Sequence, residues 1–197
     1  MRIRIFIDFW NFSLNWNQRA EGQCDWRKLP LILTQEAQSV LSQAGLGSLS
    51  LEETRVYASY EPGREEKLKG WLNNFLDKQP GVRVFSVERH WKKHPFHCRA
   101  CHTDVHECPS SHAELGRAAE KAIDSRIVTD MLSLAWEGSF DVALLLSSDR
   151  DFIPAVDKLQ AKNFKVINAT WRGHGNELAK VSWASFELDP ILQRLAR

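Results

Sequence analysis

The sequence predicts an α/β fold in which a central parallel sheet is covered by helices on both faces. Three observations predict it. Short runs rich in β-branched and aromatic residues recur along the chain, longer stretches of helical spacing separate them, and acids follow directly on two of the runs. That alternation belongs to a parallel sheet, because each strand must cross back over a face before the next can pair. At 197 residues the chain has the size of one globular unit with a sizeable core, and 1–197 is read as a single domain.

The strands are expected at 2–7 (Arg-Ile-Arg-Ile-Phe-Ile), 54–58, 82–87, 141–147 and 164–168. Between the first two, residues 30–44 place Leu31, Leu33, Ala37, Val40, Leu41 and Ala44 on a helical stripe. Residues 64–78 do the same with Leu68, Trp71, Leu72, Phe75 and Leu76. A long helix from about 113 to 136 carries Ala119, Ile123, Ile127, Met131, Leu134 and Ala135 on one face. Pro154 opens a helix over about 152–162, in the first turn where its missing N–H is tolerated. Residues 175–196 read as two short helical pieces broken at Asp189-Pro190.

Composition sets the outer limits. Hydrophobic residues make up 43% and charged residues 26%, with 26 Lys+Arg against 25 Asp+Glu for a net charge of +1. Disordered, collagen-like and membrane-spanning classes are excluded, since no apolar run approaches the roughly 20 residues that cross a bilayer. Near-neutrality counts against a broadly basic nucleic-acid coat but leaves room for a local groove. No long apolar leader follows Met1, so a reducing cytoplasmic location is the expectation.

Ligands of parallel α/β sheets gather at the carboxyl ends of the strands, where strand order reverses. Asp8 and Asn11 follow the first strand, and Ser147, Ser148, Asp149, Arg150 and Asp151 follow the fourth. The long helix adds Glu120, Asp124 and Asp130, the last on its apolar face, where an acid needs a partner. Carboxylates gathered at one edge disfavour each other's charge unless a cation lies between them, and oxygen donors suit Mg²⁺ or Mn²⁺. Taken singly, Asp149 or Asp151 also suits a helix cap, Asp8 a turn, and Asp130 a bond to a neighbouring backbone group or Arg. No nucleophile elbow, P-loop or dinucleotide fingerprint is present.

These residues carry a resemblance. Ile7-Asp8-Phe9-Trp10-Asn11, Glu120-Lys121-Ala122-Ile123-Asp124 with Thr129-Asp130-Met131-Leu132, and Ser147-Ser148-Asp149-Arg150-Asp151-Phe152 are similar to the signature blocks of NYN-domain proteins of the LabA/DUF88 type, a branch of the PIN-like nucleases. The blocks come in the family's order over about 3–170. The resemblance implies a PIN-like three-layer α/β/α sandwich and an endoribonuclease that hydrolyses RNA with Mg²⁺ or Mn²⁺. It assigns Asp8, Asp124, Asp149 and Asp151 to the metal and Asn11 to orienting Asp8 or a metal-bound water; Asp130 matches a further recurring acid. The chain departs from the pattern at Ala122 and Ser148, where the family usually has Gly, and at Ala184-Ser185-Phe186, which lacks the Asp common before that Phe. Such domains often pair, which leaves a homodimer open.

Three of the four Cys and six of the seven His fall within 90–112. Cys98, Cys101, Cys108 and His112 form C-x2-C-x6-C-x3-H, the ligand chemistry of a structural tetrahedral Zn²⁺ site, with His106, His102 or His94 as rivals for the fourth place. The stretch is read as a zinc-binding insertion at about 90–113; the zinc-deaminase signature does not fit its order or spacing. Its flank Arg89-His90-Trp91-Lys92-Lys93-His94 interleaves base with aromatic, which suits RNA or a solvated face. Trp10, Lys121, Arg150 and Arg172 are candidates for contacting substrate, with Trp16 and His174 as weaker ones. Against the RNA nuclease stand a binding module of the same fold with little turnover and a DNA or flap nuclease. Four acids that repel phosphate argue against a pure binder.

Overall fold

The computed structural model describes the backbone of residues 1–119 and 122–197, and their side chains outside 117–119. In chain order the elements are β1 (Arg2–Asp8), α1 (Phe9–Arg19), α2 (Leu29–Gln43), β2 (Ser50–Tyr60), α3 (Glu66–Asn74), β3 (Val82–Glu88), β4 (His90–Lys93), β5 (Phe96–His97), β6 (Asp104–Val105) and β7 (Gly116–Ala119). There follow α4 (Ile123–Trp136), β8 (Val142–Leu146), α5 (Ile153–Gln160), β9 (Lys165–Thr170), α6 (Asn176–Val181), β10 (Ala184–Glu187) and α7 (Leu192–Leu195).

Six strands form one parallel sheet in the order β3-β2-β1-β8-β9-β10. Alternation along β1 explains the three layers. Ile3, Ile5 and Ile7 face a core shared with Phe12 and Trp16 of α1, Leu33 and Leu41 of α2, Leu72 of α3 and Leu195 of α7. Phe6 faces the opposite core, with Ile127 and Met131 of α4, Val156 and Leu159 of α5 and Leu178 of α6. The chain moves from β1 to β2 and β3 on one side and from β8 to β9 and β10 on the other. The reversal therefore falls between β1 and β8.

Several elements depart from the sequence reading. The aromatic-rich residues after Asp8 form α1, because Phe9, Phe12 and Trp16 recur at helical steps and Asp8 caps the first turn. The expected helix over 113–136 begins only at Ile123. Residues 116–119 instead form β7, paired antiparallel with β4, so Ala119 lies in a strand. Part of the 175–196 segment is the short edge strand β10, whose half-buried and exposed positions alternate. The other expected strands and helices are present. Among the described residues, no helix is long and apolar enough to cross a membrane.

The Cys/His-rich stretch is a pair of small hairpins on the β4–β7 stem. At the stem, Gly116 is obligatory: a Cβ there would lie 2.1 Å from the Trp91 ring.

Candidate active site at the β1 and β8 ends

Asp8 ends β1 and is only 9% exposed. It serves as N-cap of α1, its Oδ1 accepting the Asn11 amide at 3.2 Å. The Ser147 hydroxyl donates to its Oδ2 at 3.1 Å. Ser147 follows β8 and is itself buried; its oxygen accepts the Asp149 amide at 3.2 Å. One hydroxyl thus joins an acid after β1 to an acid after β8 at the reversal point of the sheet. Asp149 is half-buried and caps a short 3₁₀ turn over Arg150–Phe152, its Oδ1 accepting the Asp151 amide at 2.9 Å.

The structure places the remaining acids farther out. Asp151 is exposed on that 3₁₀ turn. Asp124 is exposed in the first turn of α4. That helix of 14 residues is about 20 Å long and returns to β8 through residues 137–141, so its first turn lies towards the carboxyl edge of the sheet. Among the described residues, no three His, Cys, Asp or Glu side chains converge as a metal-holding group. This holds for the four acids and for Cys98, Cys101, Cys108 and His112, so the expected zinc centre is not assembled. The all-oxygen chemistry of Asp8 and Asp149 suits a hard divalent ion.

Asn11 is at the site, but its side chain does not orient Asp8. Its Oδ1 accepts the Ser148 amide at 3.0 Å, tying α1 to the segment after β8. The sequence reading missed three supports of that segment. Asn168 of β9 is fully buried and donates to the carbonyls of Leu145 and Ser147 at 3.0 and 2.9 Å. Thr170 donates to the His174 carbonyl at 2.9 Å, which leaves Ser148 as donor in the 3.0 Å contact between the two hydroxyls. Gly175 has φ +66°, and a Cβ there would lie 2.6 Å from Thr170 Oγ1 and 2.8 Å from Ser148 Cα. Its proximity to Arg172 and His174 in sequence is the only signal that could have drawn attention to it.

An open depression of about 520 Å³ is lined here by Asn11, Ser148, Asp149, Arg150, Gly175 and Glu177, among others. Arg150 is exposed, its nearest carboxylate Glu177 at 3.9 Å. Arg172 is held by Glu187 at 3.1 Å and its amide by Asp189 at 2.7 Å. His174 is exposed. Lys121 and Glu120 lie outside the described residues. A hollow of similar size, about 520 Å³, opens on the other side of α1 between Phe9, Trp26, Trp71 and Phe75. Asp25, the acid in its lining, is already bonded by the Arg27 amide and paired with Lys28, so the chemistry points to the Asp8 edge.

Two aromatic candidates are tied into the fold. Trp16 is core, 3% exposed, with its indole N–H on the Gly22 carbonyl at 3.0 Å. Trp10 is half-buried; it donates to the Ser59 carbonyl at 2.7 Å, and Arg89 covers its ring at 4.5 Å. Arg89 in turn pairs with Glu65 at 2.6 Å, so it faces inward rather than towards a ligand.

Asp130 has the partner its position demanded. Arg55 Nη1 and the Tyr57 hydroxyl donate to Oδ2 at 2.9 Å each, and Arg126 Nε to Oδ1 at 2.9 Å. Burial, with the adjacent Asp130 charge, pushes the Tyr57 hydroxyl pKa up. Burial opposes the Arg55 charge most strongly of any single influence, but the hydrogen bond and charge of Glu53, with Tyr57 and Asp130, together raise the guanidinium pKa. Oδ2 fastens α4 to β2, while Oδ1 is paired along the helix with Arg126.

An α/β/α sandwich with this strand order and acids at its reversal point defines the PIN-like class. The NYN domain family model matches residues 2–182, and the chain belongs to that family; NYN domains are part of the PIN-like nuclease superfamily, whose members generally use divalent metals. Among curated proteins none matches this chain. A protein of unknown function from Vibrio parahaemolyticus has a similar crystal structure, with TM-score 0.58 at 17% identity over 95% of this chain and 93% of that one. That likeness supports the fold.

Proposed function

We propose that the protein is a metal-dependent endoribonuclease that hydrolyses RNA at the edge where β1 and β8 end. The observation that carries the reading is the Asp8–Ser147–Asp149 chain of hydrogen bonds in a member of a nuclease family. Asp8 and Asp149 would hold Mg²⁺ or Mn²⁺, with Asp124 and Asp151 completing its oxygen donors. Such an ion supplies an activated water and charge neutralisation for in-line displacement at phosphorus. The chain's own work is positional. Ser147 and the Asn11 amide fix the Asp8 carboxylate, while the Asn11 side chain and Asn168 hold the segment carrying Asp149. Arg150 is the best placed of the expected phosphate contacts, with Trp10, Lys121 and Arg172 as further candidates.

The wider reading keeps a single LabA-type domain over 1–197. Its Cys/His insertion would use Zn²⁺ through Cys98, Cys101 and Cys108 for folding rather than chemistry. All four cysteines are free, in keeping with a reducing compartment such as the cytoplasm. The second reading, a binding module, draws on Asp124 and Asp151 standing exposed and on the lack, among the described residues, of three converging acids. The test is incubation with labelled RNA and matched DNA in Mg²⁺, Mn²⁺ or EDTA. RNA cleavage with either metal and none in EDTA supports the proposal; preferential DNA cleavage moves it to a DNA nuclease, and RNA binding without cleavage to the module.

A further inference from the structure

The insertion contains the same turn twice. Cys98-Arg99-Ala100-Cys101-His102-Thr103 and Cys108-Pro109-Ser110-Ser111-His112-Ala113 are alike in backbone. In the first, the Cys98 amide donates to the Thr103 carbonyl at 3.0 Å and the His102 amide to the Cys98 carbonyl at 2.8 Å. In the second, the Cys108 amide donates to the Ala113 carbonyl at 2.9 Å and the His112 amide to the Cys108 carbonyl at 2.9 Å. His102 and His112 adopt left-handed φ values of 56° and 53°. Each turn tips its own hairpin: the first lies between β5 and β6, the second above the Glu107–Glu114 bridge.

Superposing the turns pairs Cys98 with Cys108, His102 with His112, and Cys101 with Ser111. His112 is therefore the turn-forming residue of the second copy, in a left-handed conformation that non-glycine residues rarely adopt, and the second sulfur position is held by a hydroxyl. A sulfur and a ligand position separated by two residues, offered twice, form the two halves of a tetrahedral thiolate site.

We infer that the two turns are half-sites for one thiophilic divalent cation of the zinc class, held by Cys98, Cys101 and Cys108 with the fourth coordination position at Ser111 rather than His112. The inference rests on the reading of this insertion as zinc-binding and revises its fourth ligand. Because the halves do not converge in the structure, binding must close one hairpin on the other. A hydroxyl or water at the fourth position makes the ion more exchangeable than a full thiolate set would.

The test loads the full chain with Co²⁺ and follows the thiolate charge-transfer band and the tetrahedral d–d bands, then displaces Co²⁺ with Zn²⁺ to obtain affinity. Wild type, Ser111→Cys, His112→Ala and the double variant Cys98→Ser/Cys101→Ser are compared. The expected result is that His112→Ala keeps both spectrum and affinity within about twofold. Ser111→Cys should raise the charge-transfer intensity by about a third and tighten Zn²⁺ by at least about tenfold. Loss of affinity in His112→Ala, with Ser111→Cys unchanged, overturns the inference while leaving the zinc reading intact. No tetrahedral Co²⁺ spectrum in wild type, or one that persists in the double cysteine variant, overturns both.

Discussion

The Ser147 hydroxyl donates to the Asp8 carboxylate at 3.1 Å across the boundary between β1 and β8 while accepting the Asp149 amide at 3.2 Å. It is the direct link between the acids of the two strand ends. Ser147→Ala removes both hydrogen bonds of this hydroxyl, a stability cost of about 1–2 kcal/mol, and takes one donor from the Asp8 carboxylate. Metal-dependent RNA cleavage should fall by about tenfold or more for a melting shift of about 2–8 °C. Parallel kinetics and thermal denaturation check this; an unchanged rate would remove Ser147 from the positioning of Asp8.

Asp130 fastens α4 to β2 through Arg55 and Tyr57, with Arg126 of its own helix on the other oxygen. Asp130→Ala leaves the Arg55 charge without this buried partner and should cost about 3 kcal/mol in urea unfolding. Tyr57→Phe, which removes one donor, should cost about 1 kcal/mol. Mn²⁺ affinity of folded Asp130→Ala should match wild type in titration calorimetry. Lost metal binding at full stability would place Asp130 in the metal site instead.

Ala122 precedes α4 with φ +87°. This is a position that resembling sequences fill with Gly, and the left-handed region penalises a Cβ by about 1 kcal/mol. Ala122→Gly should raise the melting temperature by about 2–4 °C, less whatever glycine adds to unfolded-chain entropy. A lower melting temperature in calorimetry would contradict the strain.

Much of this was readable in advance. Asp8 and Asp149 stood out because they follow apolar strands at the sheet edge where ligands gather, although each also caps the turn after it, and Asp130 because its helical position is apolar. The parts that were missed depend on contacts distant in sequence. Asn168 and Thr170 look like ordinary strand residues until β8 and β9 lie side by side. Helix α1 was hidden because Phe9, Trp10 and Phe12 are as common in strands as in helices. The start of α4 was misplaced because the apolar period of 113–136 continues through β7, whose pairing with β4 has no local mark. The cysteines stood out as candidate ligands, yet the backbone repeat that sets His112 apart from Ser111 is a matter of backbone angle.

At the opposite edge of the sheet, Asp141 accepts the Arg2 amide at 2.7 Å and its guanidinium at 3.1 Å, joining the starts of β8 and β1. These hydrogen bonds, chiefly the guanidinium's, hold the Asp141 pKa below its ordinary value. A depressed carboxylate contributes stability above its unfolded pKa of about 3.9, and that contribution is lost as pH falls through the folded value. Both side chains are more than a third exposed, so screening limits the pair to under about 1 kcal/mol. In denaturant titrations wild type should exceed Asp141→Asn at pH 7, and the gap should close towards pH 2. A gap that widens on acidification would reverse the assigned sign.

The central claim is that Asp8 and Asp149 together hold the ion that cleaves RNA. Its most direct test is the single-turnover rate on labelled RNA in Mn²⁺ for wild type, Asp8→Asn and Asp149→Asn, each shown to be folded by circular dichroism. The account predicts that each substitution lowers the rate at least about 100-fold, or about 2.7 kcal/mol of barrier. Cleavage within about twofold of wild type in either variant would contradict it.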